Sequence, residues 1–123
     1  MRWERIRARL REEIDNHGVS ASGHFVQHRD TDAVDASLLL LPVSGFCAAD
    51  DPRMLATVEA IKAERDRILQ SLPGLGFAPV PSDANFVLFG GVRDAAATWQ
   101  ALLDAGVLVR DVGIAHHLRV TAG

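Results

Sequence analysis

Arg110 and Arg119 stand nine positions apart in VRDVGIAHHLRVTAG, residues 109–123. A guanidinium is a planar fork of N–H donors that can make two parallel hydrogen bonds to a carboxylate or a phosphate, so arginines on neighbouring strand ends could clamp an anion. Arg110 leaves a predicted strand just before a turn at Gly113, and Arg119 lies mid-strand between Leu118 and Val120. A mid-strand arginine points either to solvent or into a site, and on pattern alone a surface ion pair is the commoner outcome. His116 and His117 would face opposite sides of an extended segment, so at most one of them could line the same site. His24 and His28, four apart, would share one face of a strand with Asp30 and Asp32 nearby, yet nothing in that spacing makes the groups converge as a metal requires, and no metal site is expected. Lys62 is the only lysine and falls on a predicted helix among Glu59, Glu64 and Arg65. That is the setting of a solvated side chain rather than of a nucleophile. Glu4, Glu12 and Glu13 likewise fit solvated helix faces, and no catalytic acid is assigned. FGG at 89–91 reads as a turn, because no helix-opening lysine and hydroxyl residue follow it.

The rest of the chain must position whatever the arginines hold. Its 123 residues are a one-domain length, and 48% hydrophobic content is enough for a core. A net charge of −3, from 13 basic and 16 acidic residues without a long run of either sign, gives no footprint for nucleic acid or an anionic membrane. Small-molecule chemistry, or none, is therefore expected, the partner being a small anionic substrate, an amino acid or phosphate ester, if there is one. Cys47 stands alone, which excludes an internal disulfide and suits a reducing, cytoplasmic setting; beside Phe46 it reads as a small hydrophobe. MRWERIRARLREEI is too charged for a signal peptide, and LLLLPV at 38–43 is far too short to span a bilayer.

Trp3, Ile6, Leu10 and Ile14 recur at helical spacing, and Gly18 is where that first helix should stop. HFVQH, 24–28, could be extended, and Asp32 or Asp35 could cap a short helix through DASLLLL that Pro42 and Gly45 limit. The clearest element runs from about 52 to 72: an aspartate cap, Pro52 at the first helical position, then Leu55, Val58, Ile61, Ile68 and Leu72. After the turn at Pro73, Gly74 and Gly76 the texture changes. FAPVP and NFVLFG read as strands, RDAAATWQALLDAG as a helix ended by Gly106, and VLVRD and HLRVTAG as two more strands. The expected fold class is α+β: a helical first half, then a long helix packed on a small β-β-α-β-β layer. The change of texture falls in the long helix or just after it, without a flexible hinge.

PSDANFVLF, GVLVRDVG and LRVTAG, in that order and spacing, closely resemble the carboxy-terminal small domain of histidinol-phosphate aminotransferases, pyridoxal-phosphate enzymes of fold type I. The resemblance spans about 62–123. It implies that Arg119 binds a substrate carboxylate and that Arg110 helps hold a phosphate end. Ala115 and His116 stand where that family places proline and glycine, which bears on the reach of Arg119. In the family the Schiff-base lysine, the acidic partner of the pyridine nitrogen and the cofactor phosphate cup come from a large domain that precedes this segment, and a last helix follows it. The resemblance therefore implies pyridoxal phosphate in the parent enzymes, no binding of it by these residues and no catalysis by this chain alone.

FVQ, DASLLLLPVSGF and DDPR resemble a segment of bacterial family 15 glycoside hydrolases, glucoamylase- and trehalase-like enzymes with an (α/α) barrel, over about residues 3–61. The two catalytic carboxylates of that family lie outside this stretch. Asp35 matches the aspartate of its DAS motif but reads as a helix cap. LATVEAIKAERDR, 55–67, suits either family, which places the junction inside the long helix. A hydrolase fragment, or a non-catalytic product of a rearranged frame, is thus the alternative to a partial aminotransferase.

Overall fold

The computed structural model describes all 123 residues and divides into two compact units, Met1–Ile61 with Gly123, and Lys62–Ala122. The division falls inside one unbroken helix. No helix is long and apolar enough to cross a membrane.

In the first unit, α1 (Arg2–His17) forms where the helical repeat demands it and ends at Gly18, whose N–H donates to the Ile14 carbonyl at 2.7 Å. The expected apolar stripe exists but is not buried: Trp3 is 76% and Leu10 59% exposed. The stretch expected to be extended contributes only a bridge between Val19 and Phe25. Asp35 caps a short 3-10 helix, Ala36–Leu40, by accepting the Ser37 N–H at 2.7 Å, and hydrogen bonding from the Ser37 side chain first and its N–H second holds the carboxyl below the ordinary range.

Helix α2 (Pro52–Ser71) starts at the proline whose fixed φ and missing N–H suit a first helical position, preceded by Asp51, whose side chain accepts the Arg53 N–H. Its first half buries Met54, Thr57 and Ile61, with Phe25, Val26 and Val34 completing the first unit's buried set. Thr57 is wholly buried. Its hydroxyl donates to the Arg53 carbonyl at 2.6 Å and accepts the Phe25 N–H at 2.9 Å, so a loop with little ladder of its own is pinned to the helix. Arg53 stacks over the Phe25 ring at 4.8 Å and pairs with Asp15 at 2.7 Å and Asp51 at 2.9 Å.

In the second unit, the remainder of α2 is followed by a 3-10 turn, Pro73–Leu75, and by Gly76 in the left-handed region (φ 85°). Strands β1 (Ala78–Pro79), β2 (Phe86–Gly90) and β3 (Leu118–Thr121) form an antiparallel sheet in the order β1-β2-β3. Phe86 faces Thr121, Val87 faces Val120, Leu88 faces Arg119 and Phe89 faces Leu118. Helix α3 (Ala95–Asp104) is capped by Asp94, which accepts the Ala97 N–H at 3.0 Å. Val87, Phe89 and Leu118 leave one face of the sheet to join Leu72, Val92 and Val109 in the core, with Ile68, Leu69, Trp99, Leu102 and Val120 packed around them. This is the expected α+β class.

Two strands are shorter than expected. In FAPVP the strand itself is Ala78 and Pro79, with the Val80 N–H donating to the Leu88 carbonyl at 2.8 Å beyond it, and VLVRD, expected as a full strand, pairs only through Arg110. The second shortening has a local cause. The left-handed turn at Gly106 and the Val107 N–H bonded to the Leu102 carbonyl at 2.8 Å tie the start of the segment to α3. Its end is tied by Asp111, whose carboxylate accepts the Gly113 N–H at 2.9 Å. Arg110 alone keeps both backbone groups directed at β3.

Candidate functional site

Arg110 and Arg119 exchange two backbone hydrogen bonds, each N–H donating to the other's carbonyl at 2.9 Å. In an antiparallel pair that exchange places the residues directly opposite, with α-carbons about 5.5 Å apart and side chains on one face. That face is the one away from the core, because Leu118 and Val120 take the core side of β3. Two arginines nine positions apart in sequence thus become cross-strand neighbours with like charge. Such pairs are repulsive unless something negative joins them.

The two guanidinium groups differ in setting. Arg110 is exposed. Arg119 is half-buried, its guanidinium carbon 4.7 Å from the centre of the Phe86 ring, so the ring sits against the charged plane. The Arg119 Nε is buried and has no hydrogen-bond partner in the protein. Buried N–H donors are nearly always satisfied, and one left open on a charged fork is a place for an acceptor from outside the chain. Arg110 and Arg119 line a concavity of about 510 Å3 with Trp99, Leu108, Val109, Asp111 and Thr121. Thr121 follows Arg119 by two residues on the same strand and so faces the same side.

Sequence reasoning singled out the two arginines and missed Trp99. Its indole N–H donates to the Val109 carbonyl at 2.9 Å, one residue before Arg110. The available signal was a tryptophan at a core-facing helix position, whose N–H must find an acceptor when buried. The two histidines lie in the turn that precedes β3. His116 adopts a left-handed conformation (φ 62°) and its Nδ1 donates to the Val92 carbonyl at 2.9 Å. His117 donates to the Ala115 carbonyl, and its Nε2 lies 2.7 Å from where a β-carbon on Gly90 would stand. Neither lines the arginine concavity.

The other candidates are engaged elsewhere. His24 bonds through Nδ1 to the Ser20 hydroxyl at 3.0 Å and through Nε2 to the Asp32 carbonyl at 2.9 Å, while His28 Nδ1 donates to the Arg29 carbonyl. No group of three or more metal-ligating side chains forms. Glu13 pairs with Arg29, and Glu64 with Arg67, on the surface. Cys47 is half-buried, and burial pushes its thiol above the usual value.

Residues 34–123, well over half of the chain, match the family Aminotransferase class I and II. The chain belongs to this family. The match begins at residue 34, ahead of the 55–67 stretch in which a junction between two families was expected. Over 81 residues the chain is 66% identical to the histidinol-phosphate aminotransferase of Frankia casuarinae, a span that is 66% of this chain and 20% of that enzyme. The histidinol-phosphate aminotransferase of Mycolicibacterium smegmatis is 60% identical over 75 residues, 61% of this chain and 19% of the relative. The chain thus spans about a fifth of the length of the curated relatives it matches. A crystal structure of a Burkholderia pseudomallei protein designated an aminotransferase superimposes with a TM-score of 0.53 at 34% identity, over 60% of this chain and 24% of that one.

Aminotransferases of this family depend on pyridoxal phosphate. The residues of this chain do not fit that group. Its attachment needs an amine that can reach the cofactor aldehyde, and the only lysine, Lys62, is exposed on α2 while the arginine concavity contains none.

Proposed function

We propose that Lys62–Ala122 is the substrate-anion segment of a cytoplasmic histidinol-phosphate aminotransferase, with Arg119 as the carboxylate fork and Arg110 as its phosphate-side companion. The observation that carries this reading is the directly opposed pair, one member of which holds a buried N–H without an acceptor. An anion bridging the pair removes the like-charge repulsion and fills the open donor together. Phe86 keeps the Arg119 plane upright by packing against it, which leaves the edge of the fork to the ligand. Trp99 and Leu108 supply the apolar wall of the concavity.

The transfer of an amino group uses the electron-withdrawing ring of pyridoxal phosphate, and this chain contributes binding and orientation of the substrate anion. By itself it is a binding module and not a catalyst. Mixed with pyridoxal phosphate and dialysed, it is expected to keep no imine absorbance; a band that survives dialysis would overturn the non-catalytic part of the reading. Calorimetric titration with histidinol phosphate and with inorganic phosphate tests the clamp. Binding that Arg119→Ala abolishes is expected, and equal heats for wild type and variant would refute it.

A further inference from the structure

Trp99 is a positioning residue for the clamp: we infer that its indole N–H, bonded to the Val109 carbonyl, is what holds Arg110 in register opposite Arg119. This rests on the reading of the arginine pair as an anion clamp. Arg110 has one bridge to β3 where a full strand would have a ladder, so two hydrogen bonds at a single residue must fix its direction. In an antiparallel pair backbone groups alternate sides. With the N–H and carbonyl of Arg110 turned to β3, the carbonyl of Val109 turns to the outer edge, while its side chain is buried in the core. No neighbouring strand lies on that edge to satisfy it.

The Trp99 N–H takes that place at 2.9 Å. It comes from α3, whose capped start and core packing give it a fixed position. The bond therefore acts as the missing outer rung, and it sits one residue from the guanidinium it orients. A phenylalanine at 99 keeps the ring in the core and removes only the donor. The Val109 carbonyl is then left to water, and the segment is free to turn about its single bridge.

Titration with inorganic phosphate of the wild type, Trp99→Phe, Arg110→Ala and the double variant tests this. Trp99→Phe is expected to weaken phosphate about three- to tenfold, the worth of one ordinary hydrogen bond. In the Arg110→Ala background the same change is expected to do nothing, because there is no longer a guanidinium to aim. Val87→Ala, a core truncation, is expected to lower the melting temperature and leave phosphate affinity unchanged. Amide exchange at Arg110 is expected to accelerate in Trp99→Phe without any ligand. A Trp99→Phe variant that binds like wild type, or one that loses the same factor with and without Arg110, overturns the inference while the clamp stands. A wild-type chain that takes up no phosphate overturns the clamp and the inference with it.

Discussion

Replacing Arg119 by methionine should make the protein more stable and less able to bind. The buried Nε without a partner is the larger quantity: an unsatisfied buried donor costs about 1 to 3 kcal/mol. The like charge of Arg110 directly across the strand pair adds a few tenths to about 1 kcal/mol of repulsion. Against these stands the contact of the guanidinium with Phe86, about 0.5 to 1 kcal/mol for a half-exposed pair. Methionine keeps an unbranched apolar stem of similar length, so packing against Phe86 and Leu88 is largely retained. The balance is a gain centred on about 2 kcal/mol, and each kcal/mol in a unit of this size raises Tm by about 4 to 8 °C. Scanning calorimetry with and without phosphate is the assay. Wild-type Tm should climb with phosphate concentration, as for any ligand that binds the folded state alone, and the methionine variant should not respond. A variant that melts below wild type in plain buffer would refute the reasoning, since it would mean that the open donor and opposed charges carry no cost.

Thr57→Val removes the hydroxyl that accepts the buried Phe25 N–H and keeps the side-chain volume, so urea denaturation should show a loss of about 1 to 3 kcal/mol, with Thr57→Ser closer to wild type. Gly106 holds φ 80° with open space around its β position, so Gly106→Ala should cost about 1 kcal/mol from backbone conformation alone and free the start of the Arg110 segment. Asp51 is held below its ordinary value chiefly by the Arg53 side chain, and Asp35 by Ser37. Depressed carboxyls of this kind confer stability above about pH 4, their unfolded range, that disappears as pH falls through the folded values. The urea midpoint should therefore drop on acidification below that point, less steeply in Asp51→Asn, and an identical pH profile for the variant would contradict the assignment.

Elements that announce themselves locally are legible in the sequence. Asp51 and Pro52 open α2 where cap chemistry requires, α3 lies within RDAAATWQALLDAG, and the core strand Phe86–Gly90 follows from its apolar run. What was not legible depended on partners distant in sequence. The periodic stripe of α1 states what could be buried but not whether anything covers it, and Trp3 stays in water. VLVRD carries the composition of a strand, yet its length in the sheet is decided by Gly106 and Asp111 at its ends, which leave one residue free to pair. The direction in which His116 points was not legible either, because a left-handed residue closes its turn. The arginines were visible as a pair nine apart, whereas their direct opposition required the register of a turn that no motif specifies.

That register gives a bound anion a second consequence. Side-chain direction alternates along a strand, so a slip of one residue in the Arg110 segment against β3, which β2 holds in register, would swing Arg110 toward the core and carry Val109 out to water. Two guanidinium groups can share one anion in a single alignment of the chain. With so short a ladder holding the segment, the ligand becomes a template: it rewards the correct pairing and no other, and occupancy of the site becomes a proofreading signal for the fold that built it.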